Sequence, residues 1–207
     1  MTTSHRPTST VSRSRGRPRE FDIDQALDRA VEVFSKRGYH GTSITDLTKA
    51  MDLTQGSLYK AFKGKRAIFL AAFEHYRAQR TQLLRMAVDT TGTGLERLRN
   101  VLIFYAESAQ GAQGQQGCLV VGSATELSAF DQYVAEHVIS ALTRNESMLA
   151  DMIRQGQQDG SLAPHVDCET TARMLLCLTQ GMRVVGKTGR RRKDMLAVVD
   201  AALKALG

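Results

Sequence analysis

The side chains with the clearest chemistry form a short polar cluster near residue 55. Gln55, Ser57, Tyr59 and Lys60 follow Thr54 within six positions. Side-chain amides and lysine can bond to purine edges in the major groove of DNA, and hydroxyl groups can bond to phosphate oxygens. The cluster therefore predicts contact with nucleic acid, provided that an exposed helix presents it.

A second candidate is Cys118, which directly follows the glycine-rich segment 111–117. Its position near the start of a predicted helix matters because the positive end of a helix dipole lowers the pKa of a thiol. We predict that Cys118 is a redox or electrophile sensor; the alternative is a small buried packing residue. The three cysteines in the chain are too few for a disulfide framework and favour a reducing cytoplasm.

Patterns for other chemistry are missing from the sequence. The five histidines are scattered, no HxxxH, HExxH or CxxC spacing occurs, and no Walker-type or GxGxxG loop follows a strand. We therefore expect no metal, no cofactor and no catalytic group. A further alternative is an enzyme that uses a helical pocket, although no acid–base pair is evident in the sequence.

The elements that position these residues are all predicted to be helices. The only prolines are Pro7, Pro18 and Pro164, and proline is costly inside helices. Apolar periodicity and capping residues predict about nine helices, with Asp52 in a left-handed turn between the second and third. Their predicted ranges are 23–37, 44–51, 54–61, 65–88, 95–110, 118–128, 130–157, 168–186 and 191–206. The fold class is all-α, with a three-helix helix-turn-helix domain before a larger helical domain.

The charge is concentrated at the N-terminus. The chain has a net charge of +7, and residues 1–66 hold 13 Lys and Arg against 7 Asp and Glu. Residues 1–19 carry five arginines and no acid, so we expect a basic arm that is disordered when free. Either it contacts DNA through Arg17 and its neighbours, or it is only a solvated tail. Segment 20–66 is predicted to bind DNA and 67–207 to form the second domain.

No apolar run approaches the roughly 18–20 residues needed to cross a bilayer, so no membrane partner and a cytoplasmic location are expected.

Residues 15–76 resemble the DNA-binding domain of TetR/AcrR-type transcriptional regulators. The resemblance rests on the stretch RGY-x-x-TS-x-x-D-L and on the run L-T-x-G-S-L-Y-x-x-F-x-x-K. Asp52, Thr48 and Gly64 depart from the glycine, alanine and serine or asparagine usual in that family.

The resemblance implies that the third helix enters the major groove. Base-edge contacts would then come from Gln55, Ser57 and Lys60, and Gly56 would let the groove wall approach the backbone. Phosphate contacts would come from Thr42, Ser43, Thr45, Tyr59 and Lys65, whereas Thr54 would serve first as a helix cap.

For the larger domain, the resemblance implies a homodimer and a ligand pocket. The last two predicted helices would form the four-helix dimer interface, and the helix at 168–186 is indeed apolar nearly all round. A small apolar or aromatic ligand would lie among aromatic side chains, for which plain core packing is the alternative. These residues are Phe69, Phe73, Tyr76, Phe104, Tyr105, Phe130 and Tyr133, together with His137.

The sequence therefore predicts a homodimeric repressor of a palindromic double-stranded DNA operator, released by a small-molecule or thiol-reactive inducer. The alternative is a non-specific or architectural DNA-binding protein without an effector. Equally tight binding to random duplex would favour that alternative.

Overall fold

The computed structural model describes residues 22–88, 92–127 and 131–206. Within these ranges the chain forms ten α-helices and no strand, which confirms the all-α prediction. The helices are α1 (Ile23–Arg37), α2 (Ile44–Met51), α3 (Gln55–Ala61), α4 (Lys65–Val88), α5 (Gly94–Ser108), α6 (Gly111–Gln116), α7 (Leu119–Glu126), α8 (Gln132–Gln158), α9 (Cys168–Gly186) and α10 (Arg192–Lys204).

The short helix α6 lies where the sequence predicts a flexible loop. Its backbone closes through a bond from the Gly114 N–H to the Gln110 carbonyl at 2.9 Å. Gly114 is buried against the backbone of Ala109, which leaves no space for a side chain there. Tertiary packing therefore orders a glycine-rich segment whose local propensity is low.

Side-chain caps define the helices of the N-terminal part. The Asp22 carboxylate accepts bonds from two backbone N–H groups at the start of α1, and Ser43 and Asp46 form a reciprocal capping box on α2. Thr54 Oγ1 accepts a bond from the Ser57 N–H at 3.1 Å and caps α3. The turn between α2 and α3 passes through Asp52 in the left-handed region, with φ of 54°, as predicted.

Two apolar cores share the long helices α4 and α8. The first contains Phe34, Leu47, Leu58 and Phe69 and joins α1–α4 to α7 and the start of α8. The second joins the later part of α4 to α5, α8, α9 and α10. In the described ranges, no helix is both long and apolar enough to span a membrane.

Candidate nucleic-acid interface and ligand cavity

Helix α3 presents its polar side chains to solvent. Gln55, Ser57, Tyr59 and Lys60 are all exposed, with Tyr59 49% accessible, while Leu58 is fully buried beneath them. An ideal Cβ placed on Gly56 meets no atom within 4 Å, so the backbone at this position is open to a close partner. The arrangement has the shape expected of a groove-reading helix.

Further predicted contact residues surround α3. Ser43 and Thr45 are exposed at the start of α2, although the Ser43 hydroxyl donates to Asp46 Oδ2 at 2.7 Å. The Thr54 hydroxyl donates to Ser57 Oγ at 2.9 Å. Lys65 begins α4, and its Nζ lies 4.4 Å from the centre of the Tyr39 ring. Arg17 lies outside the described residues.

The Thr42 side chain, predicted to bind phosphate, lies inside the protein instead of on its surface. Thr42 is only 2% exposed, and its hydroxyl donates to the Gly38 carbonyl at 2.7 Å. The chain reverses in the α1–α2 turn, and the Thr42 hydroxyl supplies the hydrogen bond that the Gly38 carbonyl needs there.

Two acidic side chains connect the N-terminal helices to the rest of the molecule. Glu126, the last residue of α7, accepts bonds from the backbone N–H groups of Tyr39 at 2.9 Å and His40 at 2.7 Å. Asp131 forms a bidentate pair with Arg66 at 2.7 and 3.0 Å. The hydrogen bond from Arg66 lowers the pKa of Asp131. No local sequence pattern marks either contact, since each joins residues more than sixty positions apart.

A cavity of about 540 Å³ lies among α4, α5, α8 and α9, next to the start of α7. Four predicted residues border it: Tyr76, Phe104, Tyr105 and Cys118. The described structure thus brings the predicted sensor cysteine and three of the predicted ligand-binding aromatics to one space.

Other residues predicted for the pocket lie elsewhere. Phe69 and Phe73 belong to the first core, because α1 covers the N-terminal half of α4 and Phe34 packs on Phe69 with ring centres 5.1 Å apart. The rings of Tyr133 and His137 contact each other at a tilt, with centres 4.1 Å apart, and neither residue lines the cavity. These four predicted residues therefore do not line the cavity. Phe130 lies outside the described residues.

The Cys118 thiol has a polar environment. The Tyr76 hydroxyl donates to Cys118 Sγ at 3.4 Å, and Arg183 donates to the Gly117 carbonyl at 2.9 Å. Burial favours the neutral thiol, but the positive charge of Arg183 and the Tyr76 hydrogen bond outweigh it and lower the pKa of Cys118 below its ordinary value. The thiolate is the reactive form, so this environment favours reaction with electrophiles.

The arginines of the cavity are not predicted as site residues from sequence. Arg183 is 3% exposed and donates to the Ser108 carbonyl and to the Tyr76 hydroxyl. A signal for it exists, because Arg183 interrupts the apolar run between Met182 and Val184 on a helix that is otherwise hydrophobic. A charge in such a run must find polar partners inside the protein.

Several apolar side chains of α9 and α10 remain uncovered. Met174, Val184 and Val185 on α9 and Val198 on α10 are exposed, as is Cys177. On α9 they recur at helical spacing and share a face. In the described part of the chain, no group of three or more His, Cys, Asp or Glu side chains could hold a metal ion.

Known proteins resemble this chain along nearly its whole length. Residues 26–72 match the family model described as bacterial regulatory proteins, tetR family, and residues 94–201 match the tetracyclin repressor-like C-terminal domain. The HTH-type transcriptional repressor ComR of Escherichia coli (strain K12) is 28% identical over 95% of this chain and 94% of ComR. The repressor DhaR of Mycobacterium sp. (strain GP1) is 24% identical over 87% of this chain and 89% of DhaR.

The fold is also similar to solved structures. A cysteine mutant of the regulator CifR, complexed with a 26-bp double-strand operator DNA, superposes with a TM-score of 0.82. It is 33% identical to this chain and the match covers 93% of this chain and 100% of that one.

Proposed function

The chain belongs to the TetR family of transcriptional regulators, and we propose that it represses transcription by binding a palindromic operator as a homodimer. A small-molecule or thiol-reactive inducer releases it by acting in the cavity at Cys118. The observation that carries this proposal is the placement of α7, which begins directly after Cys118 and ends at Glu126 on the α1–α2 turn. Members of this family act through DNA and generally not by catalysis.

Operator recognition is assigned to α3 and its surroundings. Gln55, Ser57 and Lys60 read base edges, and Gly56 lets the groove wall come close to the helix backbone. Phosphates are bound by Ser43, Thr45, Tyr59 and Lys65, and by Arg17 in the N-terminal arm. Thr54 caps α3 and adds a contact from its exposed position. The operator-bound CifR structure supports this orientation by fold similarity.

Dimerisation is assigned to α9 and α10. The exposed apolar face of α9 has no cover among the described residues, and burying it against a second copy removes that surface from water. A two-fold dimer presents two copies of α3 to half-sites about 34–36 Å apart, which is one turn of DNA. This geometry requires a palindromic operator.

Release is a population shift between two positions of α7. Modification of Cys118 adds volume to the cavity and removes the thiol that accepts the Tyr76 hydrogen bond beside Arg183, which favours a different position of the α7 N-terminus. Because Glu126 holds the α1–α2 turn from the other end of α7, the spacing of the two recognition helices changes with it. Tyr76, Phe104 and Tyr105 provide the contact surface for a non-covalent ligand.

The proposal is tested with the full chain and a duplex selected from random sequence. We expect the selected duplex to bind at least about 10³-fold more tightly than random duplex at physiological salt. N-ethylmaleimide should weaken the binding of the wild type and leave a Cys118→Ser variant bound, with Cys168→Ser as the matched control that still responds. Equal affinity for random duplex would instead support an architectural DNA-binding protein. Release of Cys118→Ser by maleimide would remove Cys118 as the sensor.

A further inference from the structure

We propose that the cavity is an anion site, whose ligand is a small organic acid with an anionic head and an apolar body. This inference rests on the proposed function and deepens it, since it names the chemical class of the inducer. Six arginines border the cavity and no Asp or Glu does: Arg77, Arg80, Arg85, Arg97, Arg144 and Arg183. Among the ion pairs of the described ranges, these arginines contribute one, between Arg77 and Glu74.

Two of these guanidinium groups meet at one residue. Arg80 Nη2 donates to Ser108 Oγ at 2.9 Å, and Arg183 donates to the Ser108 carbonyl. Burial lowers the pKa of Arg80, and the charge of Arg183 lowers it further. Two cations in a partly desolvated site repel each other, and an anion bound between them offsets this repulsion. A carboxylate or phosphate ester between them accepts charge-assisted hydrogen bonds from both.

The Cys118 thiol does not replace this missing anion. A thiolate at Cys118 would carry one negative charge and would interact with both Arg80 and Arg183, so it would still leave the pair with an excess positive charge. At the far side of the cavity, Arg144 bonds to the Ser140 hydroxyl and Arg97 to the Gln155 amide, both neutral groups. The buried Arg97 Nε has no hydrogen-bond partner. The excess of positive charge therefore extends along the whole cavity.

The remaining lining defines the body of the ligand. Leu84, Ala141, Met148 and Met152 form an apolar wall, and the Arg80 guanidinium lies 4.3 Å from the centre of the Phe104 ring. A volume of about 540 Å³ falls in the range of small-molecule sites, about 300–1,000 Å³. A neutral apolar ligand would leave Arg80 and Arg183 without a carboxylate or phosphate partner, and a cationic ligand would be repelled by them.

The test uses direct binding of four matched probes to the full chain without DNA. Octanoate and octyl phosphate carry the anionic head, octanamide has nearly the same shape as octanoate without charge, and octyltrimethylammonium is cationic. Isothermal titration calorimetry should detect binding of one or both anions, with octanamide about tenfold or more weaker because it forms no charge-assisted pair. The two anion arms distinguish a carboxylate ligand from a phosphate ester.

Substitutions identify the residues that hold the head group. Arg80→Gln should reduce anion affinity about tenfold or more, and Arg144→Gln provides a second variant of the cavity lining if Arg80→Gln does not fold. Arg99→Gln is the control, because it removes the same charge from α5 outside the cavity, where its exposed pair with Asp200 contributes little to stability. Equal binding of octanamide and octanoate would overturn the proposal. So would unchanged affinity in folded arginine variants, or the absence of binding heat with either anion.

These results are separate from those that test the proposed function. Anion binding is measured without operator, and it should persist in Cys118→Ser. If the protein binds octanoate but maleimide does not weaken operator binding, the anion site is supported and the thiol mechanism is rejected. If the protein binds operator and maleimide releases it, but no anion binds, the proposed regulatory function is supported and the anion site is rejected.

Discussion

The carboxylate of Glu126 accepts a hydrogen bond from the backbone N–H of Tyr39 at 2.9 Å, across 87 residues of chain. This bond fixes one end of α7 to the turn that precedes the DNA-binding helices, while Cys118 lies at the other end beside the cavity. Gly38 makes the contact possible, because a side chain there would collide with the Glu126 carboxylate. Its φ of 73° also favours glycine. The proposed coupling therefore has a short physical route, from the cavity through α7 to the α1–α2 turn.

Replacement of Glu126 should uncouple the two sites. Glu126→Ala removes two charge-assisted bonds, so we expect a loss of about 1–3 kcal/mol in the free energy of unfolding and a much weaker release of operator by maleimide. Urea unfolding and fluorescence anisotropy on a labelled operator measure the two effects. Glu136→Ala, an exposed change on α8, is the control. If Glu126→Ala is released as fully as the wild type, α7 is not the route.

The reactivity of Cys118 should depend on pH with a midpoint below that of the same thiol in the unfolded chain, about 8.5. The native state then binds fewer protons than the unfolded state between the two pKa values. The corresponding stability is present above the unfolded pKa and is lost as the pH falls through the folded one. Peptide-resolved iodoacetamide labelling measures the midpoint.

The Tyr76 hydroxyl contributes to that shift. Tyr76→Phe removes its hydrogen bond to Sγ and should raise the pKa of Cys118, so the labelling profile moves to higher pH. Tyr105→Phe is the control, because the Tyr105 hydroxyl accepts its bond from Asn145. A wild-type midpoint at or above that of the unfolded thiol would contradict the assignment.

Substitution of Gly56 should have opposite effects on the stability of the protein and on its affinity for operator. Gly56→Ala meets no atom within 4 Å in the free protein and improves helix propensity, so the free energy of unfolding should rise by up to about 1 kcal/mol. Operator affinity should fall, because the added methyl group stands between α3 and the groove wall. Gly122→Ala, equally open but on α7, should gain stability with no loss of affinity for operator. Full affinity in Gly56→Ala would show that α3 is not in close contact with DNA.

Lys60 and Lys65 should differ in their dependence on salt and sequence. Lys65→Ala should weaken binding to every duplex and lower the salt slope by about one, as expected for a phosphate contact. It should also reduce stability by about 0.5–1 kcal/mol through the lost contact with Tyr39. Lys60→Ala should instead change sequence preference. A salt series on operator and random duplex in which both variants behave alike would contradict this division.

The exposed face of α9 should be required for dimerisation. Val184 is 52% exposed, and Val184→Glu would bring like charges together across a two-fold axis, so light scattering should detect a shift from dimer to monomer. Met86→Glu places the same charge at a 70% exposed apolar position on α4 and should leave the dimer intact. A Val184→Glu protein that remains a dimer would exclude this interface.

The helices and the DNA-reading surface are largely predictable because their signals are local. Ser43 and Thr54 cap the starts of α2 and α3, and Asp52 lies in the tight turn between these helices. On α3, Leu58 is buried and the polar residues around it are exposed, as the helical spacing predicts. The bounds of α1, α4 and α9 agree with the predicted ranges. Such features depend on neighbours within about four residues, and the sequence contains those neighbours.

The composition of the cavity depends on which helices meet and could not be predicted in this way. Periodicity shows that Phe69, Phe73 and Tyr76 are on α4, but only the covering of α4 by α1 decides that the first two are core and the third faces Cys118. The burial of Thr42, the ordering of α6 and the grouping of Arg80 and Arg183 around Ser108 likewise depend on which helices meet. The sequence by itself determined a helical protein with a DNA-reading helix and a thiol at a helix start. Tertiary structure alone decided what surrounds that thiol, because contacts such as Tyr76 with Cys118 or Arg183 with Ser108 join residues tens of positions apart.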